Sequence, residues 1–252
     1  MRIVTESPAP KKSTNAEPRE QAPLRIRYRV RFQKTGLLRW ISHRDLAALW
    51  ERIARRAMLE LSMTEGFHPK PRISFPSALA LGVEGLDEVV ELELAENISP
   101  CELLKRLEND HQPGLSINSV SRLPQGFGKG QLQESKFSIT LPEHADTRSI
   151  ETAITQLRNQ TTVSFQRKNK TLVAHVAQQI PELKLCDGLL RLTLAASDSA
   201  SLKAHDVLDL LGFDDWIENG SLVIREHVIL ETEFHSNHPA EVATATHAAP
   251  TQ

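Results

Sequence analysis

Residues 24–32 read LRIRYRVRF, and the organisation of the chain follows from how this stretch is placed. Apolar and basic side chains alternate with period two, the pattern of a strand with one buried face. Ile26, Tyr28, Val30 and Phe32 are expected to face a core, and Arg25, Arg27, Arg29 and Arg31 to point outward. The period then changes. Residues 42–59 set Leu46, Leu49, Trp50, Ile53, Ala54 and Ala57 at helical spacing, with Ser42 as N-cap and Asp45 three residues on completing a capping box. RISF (72–75) and ALALGV (78–83) read as one strand interrupted by Pro76, and DEVVELELA (87–95) as the next. Ser99 opens a second helix, and LSINSVSRL (115–123) is a fourth strand.

The same β-α-β-β-α-β order recurs further on. SKFSITL (135–141) is a strand and 147–158 a helix; TVSFQRKNKTLVAHV (162–176) is a hairpin turning at Lys168 and Asn169. LLRLTLAA (189–196), a helix over 201–211 and SLVIREHVIL (221–230) complete the second set. The expected fold class is α+β, with two tandem ferredoxin-like units, the second carrying an extra hairpin. The units are residues 24–123 and 135–233, joined by a Gly-rich linker over 124–134. Residues 1–23 and 234–252 are rich in Pro, Ser, Ala and charge, and both are expected to be disordered tails.

The 252 residues are 40% apolar and 25% charged, which suits a chain with a real core. No apolar run approaches the roughly 20 residues of a membrane helix, and the polar, acid-containing N-terminus does not read as a secretory signal, so a cytoplasmic location is expected. Cys101 and Cys186 are the only cysteines, too few for a disulfide framework or an iron–sulfur cluster. No metal site is expected: His43 and Asp45 stand at one end of the first helix and His68 beyond the other, roughly 20 Å away at 1.5 Å per residue.

Charge is unevenly distributed. Residues 24–75 hold twelve Lys or Arg against four acids, although the chain as a whole carries a formal charge of −2. The excess gathers in two clusters. In KTGLLRWISHRDL (34–46), Lys34, Arg39, His43 and Arg44 surround the start of the first helix, where free N–H groups favour an anion. In TEGFHPKPRISFP (64–76), Pro69 and Pro71 stiffen a loop that presents His68, Lys70 and Arg72, with Phe67 expected to anchor it on the core.

The stretches FQKTGLLRWISHRDL and EGFHPKPRISFPSALALGVE resemble the signatures of the radical-SAM-linked family, a bacterial domain of unknown function fused to, or encoded beside, radical SAM proteins. The resemblance spans residues 24–230 and implies a bacterial protein partnered by a radical SAM enzyme. S-adenosylmethionine and an iron–sulfur cluster are then expected only in that partner, with no cofactor bound by this chain.

The leading expectation is an accessory module, non-catalytic by itself, that binds RNA (tRNA or rRNA) through Arg25, Arg27, Arg29, Arg31, Lys34, Arg39, His43, Arg44, His68, Lys70 and Arg72. One alternative is a scaffold docking the radical SAM partner without RNA. The other is metal-independent RNA cleavage with His43 as general acid–base.

Overall fold

The computed structural model describes residues 24–167, 169–197, 201–236, 238 and 240–245. In the first half, β1 (Ile26–Lys34) runs through a short 3₁₀ turn (Gly36–Trp40) into α1 (His43–Arg56). There follow β2 (Ile73–Ser74), β3 (Glu84–Leu94), α2 (Pro100–Glu108) and β4 (Leu115–Arg122). The second half contains β5 (Leu132–Thr140), α3 (Thr147–Arg158), β6 (Thr162–Arg167), β7 (Lys170–His175) and α4 (Val176–Gln179). It continues with β8 (Glu182–Cys186), β9 (Leu189–Ala195), α5 (Ala204–Leu211), β10 (Val223–Leu230) and β11 (Val242–Thr244).

The fold is α+β, built on one large mixed sheet in the order β11-β4-β1-β3-β10-β5-β9-β8, with β2 also on β3 and β6-β7 a separate hairpin. The splice between the halves is β3. One of its edges pairs along its length with β1; the other is divided, β2 taking Glu91 and Leu92 and β10 taking Glu84 and Gly85. The β3–β10 pairing is parallel, whereas every other pair in the sheet is antiparallel.

The two larger hydrophobic clusters among the described residues pack between this sheet and the helices. Tyr28, Val30 and Phe32 of β1 and Val90 and Leu92 of β3 meet Trp50 and Ile53 of α1 and Leu103 of α2. Ile139, Leu190 and Leu192 meet Ile150 of α3 and Val207 of α5. Ser42 accepts the Asp45 N–H while the Asp45 carboxylate accepts the Ser42 N–H, which closes the capping box at the start of α1. Such a cap contributes about 1 kcal/mol.

Several expectations are corrected. The alternation of β1 holds for its apolar face, but the arginine face is not open. Phe127 of the segment before β5 stacks on Arg29, and Phe234 meets Phe127 edge-on at 5.8 Å. The expected strand over 72–83 shrinks to Ile73–Ser74. Pro76 has no N–H to donate, and beyond it Leu79 and Val83 leave the first half to join the second half's core. The alternating ELKLC of β8 pairs with β9 and was not expected. Leu132 already belongs to β5, so the linker is shorter than 124–134. Within the expected C-terminal tail, Val242–Thr244 pairs with β4 as β11. Residues 1–23, Lys168 and, of the expected C-terminal tail, residues 237, 239 and 246–252 lie outside the described residues. No helix among the described residues is long and apolar enough to cross a membrane.

Candidate nucleic-acid interface

The segment after α1 folds into a small hairpin. Thr64 N–H donates to the Lys70 carbonyl at 2.8 Å, Arg72 N–H to the Ser62 carbonyl at 2.8 Å, and Lys70 N–H to Thr64 Oγ1 at 2.9 Å. Pro69 and Pro71 fit because neither position has to donate a hydrogen bond. The tip presents His68 and Phe67 to solvent, and Phe67 is fully exposed rather than anchored on the core. Arg25 holds the hairpin to the start of β1 through Glu65 at 2.7 Å, and Arg72 reaches Glu93 of β3 at 3.7 Å.

Beside this hairpin is a cleft of about 800 Å³ lined by Arg25, Arg27, Arg72 and Arg122, with Glu93 and Glu241 as its carboxylates. The fold therefore brings together three of the arginines selected in the sequence and adds Arg122 from β4. Arg122 makes no ion pair among the described residues. Arg27 donates to the Phe127 carbonyl and lies 3.9 Å from Glu91, so the linker forms one wall of the cleft.

The other strand cations are spent within the protein. Arg29, 3% exposed, donates to Glu91 and to the Thr232 carbonyl, and it lies 3.7 Å from Glu233. Arg31 is clamped between Asp87 and Glu233. Lys34, 1% exposed, points its Nζ at the Arg39 and Ile41 carbonyls at 3.4 and 3.3 Å, and burial lowers its pKa from the ordinary lysine value. Neither Arg29 nor Lys34 is open to a phosphate, because the opposite sheet face is occupied and the end of β1 is enclosed by the 3₁₀ turn.

At the other end of β1, Arg39 pairs with Glu84 at 3.1 Å and stacks on Trp40. The His43 imidazole packs edge-on against Phe75 at 5.1 Å and makes no hydrogen bond or ion pair among the described residues. Arg44, Arg52, Arg55 and Lys70 are exposed, and among the described residues none of them makes an ion pair. On α1 the three arginines stand at i, i+8 and i+11, which places them along one outer face over roughly 16 Å. Arg52 and Arg55 were counted in the basic excess but not singled out, because strand alternation drew attention to β1.

Among the described residues no group of three His, Cys, Asp or Glu side chains is placed to hold a metal ion. Sequence comparison with curated proteins gave no match. A family model described as an uncharacterized protein conserved in bacteria (DUF2344) matches residues 27–204, more than two thirds of the 252-residue chain, and the chain belongs to that family.

Proposed function

We propose that this chain is an accessory module of a radical SAM enzyme that binds RNA through the hairpin over 62–72, the arginine cleft beside it and the outer face of α1. Each half is read as a ferredoxin-like unit. The matching strand orders β4-β1-β3-β2 and β10-β5-β9-β8 support that reading, with β6 and β7 as the extra hairpin. The observation that carries the function is Phe67, fully exposed on the same hairpin as Lys70, which makes no ion pair among the described residues, and next to the cleft holding Arg122. A free aromatic face beside unneutralised cations suits a single-stranded nucleic acid, whose bases stack while its phosphates meet the charges. The radical SAM partner rests on the sequence resemblance alone, carried by stretches that fall on the 3₁₀ turn, α1 and the hairpin.

The test is fluorescence anisotropy with labelled tRNA and single-stranded RNA at low and at physiological salt. Binding that weakens steeply as salt rises supports the reading. No binding at low salt removes RNA from it.

One observation favours docking of a protein partner without RNA. Leu37 and Trp40 share a face of the 3₁₀ turn, and Gly82, next in sequence to Leu81, lies against the Trp40 ring; Leu37, Trp40 and Leu81 are each more than half exposed. Co-purification of a radical SAM protein that survives nuclease and is lost in Leu37→Asp favours this second reading.

A further inference from the structure

On the helix-covered side of the sheet, walled by the core cluster of the second half, lies a cavity of about 280 Å³. Its apolar wall is contributed by both halves: Leu79 and Val83 from the segment that crosses over after β2, Phe137 from β5 and Leu194 from β9. Two polar groups interrupt that wall. Ser135, on the same face of β5 as Phe137, is 4% exposed, and among the described residues its Oγ has no hydrogen-bond partner. Arg225 of β10 is 3% exposed and fixed in place, its Nε and Nη2 on the Glu88 carboxylate and its Nη1 on Ser77 Oγ at 2.9 Å. Among the described residues one Nη2 proton remains uncommitted.

Charge and size narrow what could fit. Arg225, Arg167 and Lys203 border the cavity; the first two are paired with Glu88 and Asp206, which leaves the solvent-exposed Lys203 as the one positive charge in excess. That balance suits a single anionic group. A dry apolar cavity of about 150 Å³ accommodates benzene, so this one has room for a ring or short chain with a head group, and it falls just short of the ~300 Å³ where drug-sized pockets begin. A buried hydroxyl without a partner calls for an explanation in a folded chain, and a ligand oxygen supplies one.

We propose that this cavity binds a small amphipathic carboxylate, an aromatic or short-chain acid. Its body lies against Leu79, Phe137 and Leu194, and its head accepts hydrogen bonds from Ser135 Oγ and the Arg225 guanidinium. Because the wall is built from both halves, the occupant also braces the β3–β10 splice. The site is independent of the hairpin and the cleft.

The test is methyl NMR of the full chain titrated with benzoate and with hexanoate, using benzyl alcohol and acetate as partners that lack the charge or the body. The expected result is saturable shifts of the Leu79, Val83 and Leu194 methyls with both acids, at least about tenfold weaker for the alcohol and for acetate. Ser135→Ala, a small change that removes an unpaired hydroxyl, is expected to keep the fold, raise the thermal midpoint and weaken benzoate by about tenfold. Three results would each overturn the proposal: no saturable shift at those methyls with either acid, equal binding of acid and alcohol, or benzoate affinity unchanged in Ser135→Ala.

Discussion

Glu91 accepts both Nε and Nη2 of Arg29 on one carboxylate oxygen, at 3.2 and 2.9 Å, with both side chains almost wholly out of solvent. The same oxygen accepts the Gly130 N–H at 3.1 Å, so one carboxylate joins β1, β3 and the segment leading into β5. Removing it leaves a buried guanidinium without its nearest countercharge. Glu91→Ala is expected to cost about 3–5 kcal/mol in urea denaturation. The double variant Arg29→Met, Glu91→Leu is expected to recover most of that loss, since it removes both charges while keeping apolar volume. A single-variant loss below about 1 kcal/mol would mean that the pair is solvated.

That relationship decides which residues can report on RNA. Reversing Arg29 sets two carboxylates against each other inside the sheet, and any loss of binding would only reflect unfolding. Lys70→Glu and Arg122→Glu avoid this problem, since neither cation has an ion pair to lose among the described residues. Each is expected to weaken binding to all RNA sequences alike and to lower the salt slope by about one. Phe67→Ala should leave the thermal midpoint unchanged, because the ring is fully exposed, yet cost about 1–3 kcal/mol of single-strand affinity. Unchanged affinity in all three variants would place the RNA site elsewhere.

How far the fold could be read from residues is clearest on β1. Alternation identified the strand and its apolar face because burial follows a period of two and Tyr28, Val30 and Phe32 have no polar alternative. It could not place Arg29, whose partners lie on β3 and after β10, far away in sequence. The same gap explains Arg122, which enters the cleft only through the β1–β4 pairing, and Ser135 and Arg225, which border one cavity only through the β5–β10 pairing. Local chemistry was legible where it stays local: the Ser42 and Asp45 box formed as read. Phe67 was misplaced because an aromatic beside a turn was given to the core, when the hairpin's own hydrogen bonds hold it without help from that ring.

Lys34 gives a pH prediction. Burial lowers its pKa below the ordinary 10.5, with the neighbouring Arg225 acting in the same direction and Glu88 opposing them. Between the folded value and 10.5 the unfolded chain binds more protons than the folded one, so this residue makes stability rise with pH across that window. At neutral pH the buried charge is a cost. Lys34→Met should therefore be more stable than the parent at pH 7, with the advantage narrowing as pH approaches 10.5. Parallel stability curves for the two proteins over alkaline pH would show that Lys34 keeps its ordinary pKa when folded.

Gly114 and Gly126 test how tightly the chain is held around Lys34 and the cleft. Both adopt left-handed backbone, with φ of +79° and +81°. A Cβ on Gly126 would meet nothing within 4 Å, whereas one on Gly114 would lie 2.5 Å from the Thr35 carbonyl oxygen. That oxygen is backbone and cannot swing aside, because Thr35 N–H also donates to the Gly114 carbonyl at 2.8 Å and fixes the two turns together. Gly126→Ala is expected to cost only the conformational penalty, about 1 kcal/mol. Gly114→Ala adds a clash that must displace either the start of β4 or the end of β1, and about 3 kcal/mol or more is expected. Urea midpoints at unchanged m value measure both. Equal losses would show that the turn after Lys34 yields freely; a larger loss at Gly114 would show that the end of β1 is clamped, which is what keeps Lys34 sealed beneath the 3₁₀ turn.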